Sequence, residues 1–524
     1  MELQKLKKSK LKWLINQISE PEEKEIVEDN RAAQEDLKKK KSINLNLEST
    51  IDMMKSLFSI PENNDVKLRH LQIGGLERKA TLIYISTITD TPIIEEHIIR
   101  PLVQNENTLK AIENIISAPS VSTVQMIEDA VTGINNGDTV LFVEGYDLAY
   151  VIATSSVEGR GIEKAENEVV VKGPKEAFNE KALSNISLIR KRIKNENLMV
   201  ESLTISQRSN NDLYILYIKD LANEDILNRI KDKVNKLNVN AIQNLSLLEQ
   251  YIEENNKSLF PTILYTERPD RTSAFLEDGF IVLIMDNSPS SLILPATFWS
   301  FFHNPEDYYL RFIFGNFIRM LRMIALFITL FISAIYISVT NYHIGMIPAD
   351  LLLAISATRE IVPFPAIIEV LMMEIAFELI REAGLRVPNP IGPTIGIVGA
   401  LILGQAAVQA NIVSPLVVII VALGGLSSFA IGDINMNFTI RLLRFLFIIS
   451  AALFGFYGMT FLFITGLFYM VTIKSFGVPY LSPMTPYYKS SKDTFFRKVM
   501  LNEIYRPGYI KPKDIQKKQV NKDG

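Results

Sequence analysis

Between residue 46 and about residue 295, apolar positions come in short runs separated by polar turns, the pattern of a soluble α/β fold. Thr81-Leu-Ile-Tyr-Ile-Ser predicts a buried strand, followed by a helix through Ile93 to Leu102. Asp138 to Ala153 predicts two strands around a turn. The same order then returns. Leu213-Tyr-Ile-Leu-Tyr-Ile predicts a strand, and Glu224 to Leu237 a helix with Ile226, Leu227, Ile230, Val234 and Leu237 on one face. Gly279 to Asp286 and Ser291 to Leu294 predict a second hairpin. Two small, duplicated α/β subdomains are expected; convergence on a common α/β pattern would leave the same order.

Beyond Arg322 the pattern changes. Met323 to Ala349 carries no Asp, Glu, Lys or Arg and predicts a first membrane span to about Asn341. Pro363 and Pro365 act as a break or hinge, so a helix starts near Pro365. That helix, 365–385, carries Glu369, Glu374, Glu378 and Glu382 in otherwise apolar sequence. Val387 to Gly432 has no charge and is long enough for two spans, near 392–410 and 415–433. Phe445 to Ile473 predicts one long tilted span, or a tight hairpin broken at Gly455 to Gly458. The expected class is α+β with a membrane part: two small cytoplasmic α/β subdomains, then an α-helical multi-pass transmembrane domain.

The expected organisation is a charged, flexible segment 1–45, subdomains at 46–160 and 176–300 with a linker at 161–175, a helical membrane domain at 301–475, and a basic, irregular cytoplasmic tail at 476–524. Arginines before Met323 and basic residues after Lys474 favour the inside for both ends, which demands an even number of crossings. Four spans with an interfacial carboxylate helix satisfy this, as do six spans ending in a hairpin. The basic N-terminus lacks the apolar core of a signal peptide, which places the N-terminal half in the cytoplasm.

Net charge of −3 gives no reason to expect a nucleic-acid partner. With no cysteine there are no disulfides, thiolate nucleophiles or cysteine metal sites, and the four histidines form no ligand pair at helical spacing. Nucleotide loops, nucleophile elbows and metal triads are absent, so neither an enzyme nor a cofactor is expected.

The candidate chemistry lies in the membrane part. A carboxylate at bilayer depth costs roughly 2.5–3.5 kcal/mol on insertion scales, so it needs a partner or a role. Glu374, Glu378, Arg381 and Glu382 share one helical stripe. They form either an electrostatic strip at a water-filled path or subunit seam, or the wet face of an interfacial helix. In the next span, Gly392, Gly396, Ala400 and Gly404 make a small-residue row for helix packing. Thr394, Val398, Leu401, Gln405 and Val408 lie opposite and are candidate pore-lining residues, with an apolar waist at Val398 and Leu401. Packing of both faces in a bundle is the simpler alternative.

Several segments together resemble the A subunit of bacterial spore germinant receptors, the GerA family. They are Tyr265-Thr-Glu-Arg-Pro-Asp-Arg-Thr-Ser, Lys172-Gly-Pro-Lys-Glu-Ala-Phe-Asn-Glu, Asn185-Ile-Ser-Leu-Ile-Arg-Lys-Arg, Thr358-Arg-Glu-Ile-Val-Pro-Phe-Pro, Glu374 to Pro388, and Ile391-Gly-Pro to Ile412-Val-Ser-Pro. The likeness runs from about residue 45 to 490. Lys172-Gly-Pro and Ala177-Phe178 stand where the family pattern usually has Arg-Gly-Pro and Gly-Phe. The resemblance implies a multi-pass protein of the spore inner membrane with a two-part cytoplasmic N-terminal domain. It implies partners: a transporter-like B subunit that binds the nutrient, a lipoprotein C subunit, membrane lipid, and further copies of the chain, a pentamer by the family. A ligand-gated cation channel is the leading expectation. A non-conducting coupling scaffold is the alternative, and a lone secondary transporter a weaker one, because the visible repeat lies in the soluble half.

Overall fold

The computed structural model describes residues 39–106, 111–156, 164–165, 167–386, 402–488, 490–491 and 493–518. Its first unit is a five-stranded antiparallel sheet in the order β1-β2-β4-β5-β3, with β1 Val66–Ile73, β2 Arg78–Ile85, β3 Val121–Val124, β4 Thr139–Val143 and β5 Ala149–Ile152. Both faces are covered. Ile83 and Ile85 of β2 pack with helices α1 (Leu47–Phe58) and α2 (Ile127–Asn135), whereas Leu82 and Tyr84 turn to the helical segment containing Ile94, Ile98 and Leu102. Alternation in a strand covered on both sides therefore yields a continuous apolar run.

The second unit repeats this wiring. Its sheet, β6 Leu198–Ile205, β7 Asn211–Ile218, β8 Leu264–Thr266, β9 Ile281–Met285 and β10 Ser291–Leu294, has the order β6-β7-β9-β10-β8. Counted from its own first strand, that is the first sheet's order. Helices α3 (Ala182–Arg192), α4 (Glu224–Asn235), α5 (Leu245–Ile252) and α6 (Pro269–Glu277) accompany it. The units meet at a buried pair: Arg190 Nε and Nη2 each donate to an Asp65 carboxylate oxygen at 2.9 Å. Asn63 stitches the contact, donating to Leu198 O and accepting from Val200 N. Residues 167–175, expected as a linker, are instead docked: Arg268 donates to Glu168 O and Pro174 O, and Arg271 pairs with Glu168. The polar composition that suggests a linker here serves hydrogen bonds to a neighbouring element.

The C-terminal region is helical: α7 (Phe312–Tyr342), α8 (Ala349–Glu360), α9 (Ala366–Arg386), a helix at 402–409, α10 (Pro415–Ser428) and α11 (Ile434–Thr472). Among the described residues, α7 and α11 are long and apolar enough to cross a membrane. Helix α7 starts earlier than charge alone suggests, because Arg319 and Arg322 are paired with Asp307 inside its first turns. Helix α9 starts just after Pro365.

The helices run back and forth from the second α/β unit. At Gly455 (φ 59°, ψ −142°) α11 folds back on itself. Phe447 before the break and Phe463 after it both meet Phe331 of α7, with ring centroids 4.9 and 5.7 Å away. Tyr342, at the far end of α7, donates to Ala452 O and Leu453 O beside the reversal. At the near end, Thr439 donates to Leu259 O, and the Tyr469 ring lies tilted against Phe260 at 6.3 Å. Helix α9 runs the other way from α7: Glu369 accepts from Ser414 N at the far end, and Arg381 reaches Gly425 O, a few residues before Gly432 abuts Asn304. The tail returns to the α/β unit, where Asn223 donates to Ile510 O, Lys513 pairs with Glu224 and Lys517 with Asp278.

Only glycine tolerates the Gly455 conformation cheaply, and a Cβ there would sit 3.1 Å from the Tyr342 ring. Gly455→Val is expected to lower unfolding free energy by about 1–3 kcal/mol. Gly466→Val, with open space around it, should stay within about 0.5 kcal/mol, as read by thermal and denaturant unfolding of the detergent-solubilised chain.

Candidate functional site

The glutamate helix is not splayed on a surface. Glu374 is fully buried between α7 and α11: its Oε1 accepts from Ser333 Oγ at 2.7 Å, and Arg444 Nη2 approaches Oε2 at 2.8 Å. Glu378, one turn on, takes Arg444 at 2.7 Å and pairs with Arg441 through both carboxylate oxygens. Arg444 thus lies between two carboxylates of α9 with its side chain at 0% exposure. Its Nε and Nη1 have no hydrogen-bond partner among the described residues.

Arg381 comes no nearer than 3.9 Å to Glu378, so these two neighbours on one stripe make only a weak contact. Its guanidinium is directed to the C-terminal end of α10, donating to Gly425 O at 3.0 Å and Ser428 Oγ at 2.6 Å. Carbonyls at a helix C-terminus carry partial negative charge, so a cation belongs there. The Phe377 and Phe429 rings flank it at 5.1 and 4.4 Å. Gly425 makes this approach possible, since a Cβ would lie 2.4 Å from Phe377. Glu382 stands apart: it is half-exposed and pairs with Arg386 at 2.7 Å, a surface i,i+4 contact.

The apolar surroundings make the cluster strong in one sense only. Taking ions out of water is costly, so a buried pair adds little net stability, but removing one partner costs about 3–5 kcal/mol. The cluster therefore sets register, holding α9 against α11 in one arrangement. Its arginines are the residues that the sequence reading did not connect to the glutamates. The available signal was Arg441 and Arg444 three residues apart, on one face of an apolar stretch from Phe438 to Phe447.

Of the small-residue row, Gly404 lies within the described residues; it is buried, and a Cβ on it would lie 3.5 Å from Val418 of α10. On the other side Gln405 is exposed and Val408 half-buried. Gly392, Thr394, Gly396, Val398, Ala400 and Leu401 lie outside the described residues. Pro363 and Pro365 are exposed in the break between α8 and α9. Glu369 is buried beside them, accepting from Ser414 N at 2.9 Å with Arg359 at 3.9 Å.

A second charged cluster fixes the base of α7. Asp307 accepts from Arg319 Nε at 2.8 Å and from Arg322 at 3.2 Å, and Arg319 also pairs with Asp493 of the tail. His303 sits beside it, its pKa lowered to about 4 by burial, so at neutral pH its uncharged ring donates from Nε2 to Thr494 O.

A duplicated α/β unit fused to a helical region with buried arginine–carboxylate pairs defines the class of protein. Residues 52–509 match the family model described as Bacillus/Clostridium GerA spore germination protein. The chain is 39% identical over 463 residues to spore germination protein KA of Bacillus subtilis (strain 168), covering 87% of this chain and 85% of that one. It is 38% identical to spore germination protein A1 of the same organism, covering 82% and 89%, and 35% identical to its spore germination protein B1, covering 90% and 99%. A crystal structure of the N-terminal domain of the A subunit of the Bacillus megaterium spore germinant receptor GerK3 aligns at 26% identity and TM-score 0.39, over 49% of this chain and 98% of that one. The chain belongs to the GerA family of spore germination proteins. Its role lies in spore germination.

Arg444→Leu leaves Glu374 without its cation and strips one from Glu378, so a loss of about 3–5 kcal/mol is expected. Glu382→Ala should change stability by less than about 1 kcal/mol. Denaturant unfolding in matched detergent compares the two.

Proposed function

We propose that this chain is the membrane-embedded A subunit of a germinant receptor and acts as the gated, cation-conducting part of that complex. The observation that carries the reading is the buried Glu374–Arg444–Glu378–Arg441 cluster, which spends charge inside an otherwise apolar helical region. Burying such ions is costly, and their presence supports a helical region that does more than anchor the soluble domains. Two helices joined by a polar clamp instead have a defined resting register that a partner's movement can shift.

The topology in this reading is six crossings: α7, α9, the span ending near residue 410, α10 and the two arms of α11. Both α/β units and the tail then lie on one side, the cytoplasmic face of the spore inner membrane. The contacts of the tail with Asp278 and Arg319 support that placement. Pro363 and Pro365 act as the hinge ahead of α9. Thr394, Val398, Leu401, Gln405 and Val408 line the path, with Val398 and Leu401 as a dewetting gate. Gly392, Gly396, Ala400 and Gly404 pack the other face. Glu374, Glu378 and Arg381 hold the neighbouring helix, and Glu382 lies at its exposed end. Conduction requires several copies around one axis, a pentamer by family resemblance, working with a nutrient-binding B subunit and a lipoprotein C subunit.

Reconstitution tests this reading. Leu401→Ala in liposomes should raise monovalent cation leak several-fold over the wild-type chain, and spores carrying it should lose ions without nutrient. Absence of flux from both chains, with normal ion retention in the variant spores, would reject conduction and leave the coupling scaffold.

A further inference from the structure

The helical region meets the second α/β unit around a cavity of about 450 Å³. Its walls come from α5, the 258–261 loop, β8, the docked segment at 167–168, and residues 432–439 at the start of α11. Five carboxylates line it: Glu168, Glu249, Glu253, Glu267 and Asp433. Glu168 is paired with Arg271, and Glu267 accepts from Asn167. Glu253 accepts from Thr262 N and Oγ1, with Lys233 close by on its backbone carbonyl. Glu249 differs. It is 9% exposed, and its contact across the junction is a 3.3 Å hydrogen bond from Asn435 Nδ2 of α11. Asp433, 7% exposed, caps α11 by accepting from Met436 N at 2.8 Å.

We infer that this junction is a proton-operated latch, in which neutral Glu249, backed by Asp433, lets α5 close on the base of α11 and their ionisation pushes the two apart. The crowding of carboxylates from separate elements into one cavity supplies the force. Lys233 lies at Glu253, and Arg271 is spent on Glu168 while it also offsets Asp433. Tyr265 adds a neutral wall. Burial, with Glu253 and Asp433 nearby, raises Glu249 to about 8, and burial raises Asp433 to about 6.

The sign follows from linkage. Once the junction opens, Glu249 returns to the ordinary carboxylate range, so the closed form binds more protons than the open one. Closure is fully favoured below the ordinary range near 4.5, weakens steadily as pH rises, and reaches its minimum just above 8. The latch lies at the foot of the helix that carries Arg441 and Arg444, so its movement is delivered to the buried cluster by a continuous helical segment. The inference concerns the junction itself and stands whether or not the chain conducts ions.

Hydrogen–deuterium exchange on the full chain in detergent or nanodiscs tests it, after correction for intrinsic exchange. Protection of amides 245–252 and 434–440 should fall at least about tenfold between pH 5 and pH 8.5 in the wild type, a tenfold change corresponding to about one pKa unit of differential interaction. Glu249→Gln keeps the Asn435 contact without charge and should hold its protection at pH 8.5. Asp433→Asn preserves the helix cap and removes a repelling charge, so the fall should shrink and finish at lower pH. A pH-independent wild type, or the full wild-type fall in both variants, overturns the latch. If Glu249→Gln does not fold, Asp433→Asn alone decides between these outcomes.

Discussion

Arg444 cannot be left alone. It lies in the apolar interior of the helical region with no exposed surface, and its charge is balanced by Glu374 and Glu378 from another helix. Several features of that region keep these groups together. Helix α9 must run beside the first arm of α11, and α10 must come close enough for Arg381 to reach its C-terminal carbonyls. That proximity requires Gly425 against Phe377, and the return of α11 past α7 requires Gly455. The cluster carries three arginines against two glutamates, and the surplus cation is the one placed at a helix C-terminus and between aromatic rings.

The soluble half solves a different problem with related means. Two sheets of the same strand order each bury both faces, and a single hydrophobic core runs from the second of them into the helical region. The first unit is joined to the second through Asp65 and Arg190, the connector after the second unit is tied to α7 through Asp307, Arg319 and Arg322, and the second unit itself reaches α11 through Leu259 O and Glu249. Charged pairs at both joints fix orientation where apolar packing alone would allow sliding.

Much of the fold was legible because its strongest signals are local. β2, β4, β5, β7, β9 and β10 are apolar runs with turn residues between them, and each was expected near its observed position. The four edge strands were missed: β1 and β6 mix charged and apolar positions, as in Val66-Lys-Leu-Arg-His-Leu-Gln-Ile, and β3 and β8 are only four and three residues long. The start of α9 after Pro365 was visible as backbone chemistry, and the break at Gly455 was one of two alternatives that the glycines left open. The site was half legible. A buried glutamate is conspicuous in a hydrophobic stretch, but its partner lies over 60 residues away, and no single-chain periodicity reports pairing between helices. The docked segment at 167–175 was hidden for the same reason, since its polar residues bond to groups near Arg268.

Helices α9 and α11 are held by specific charge pairs and not by apolar packing alone. A double-mutant cycle on Glu378→Gln and Arg441→Gln, read as unfolding free energy in detergent, tests it most directly. Side chains in direct ionic contact should show a coupling of roughly 1–3 kcal/mol, the double variant losing much less than the sum of the single ones. Losses that add to within about 0.5 kcal/mol would mean the two residues do not sense each other, and would contradict the account.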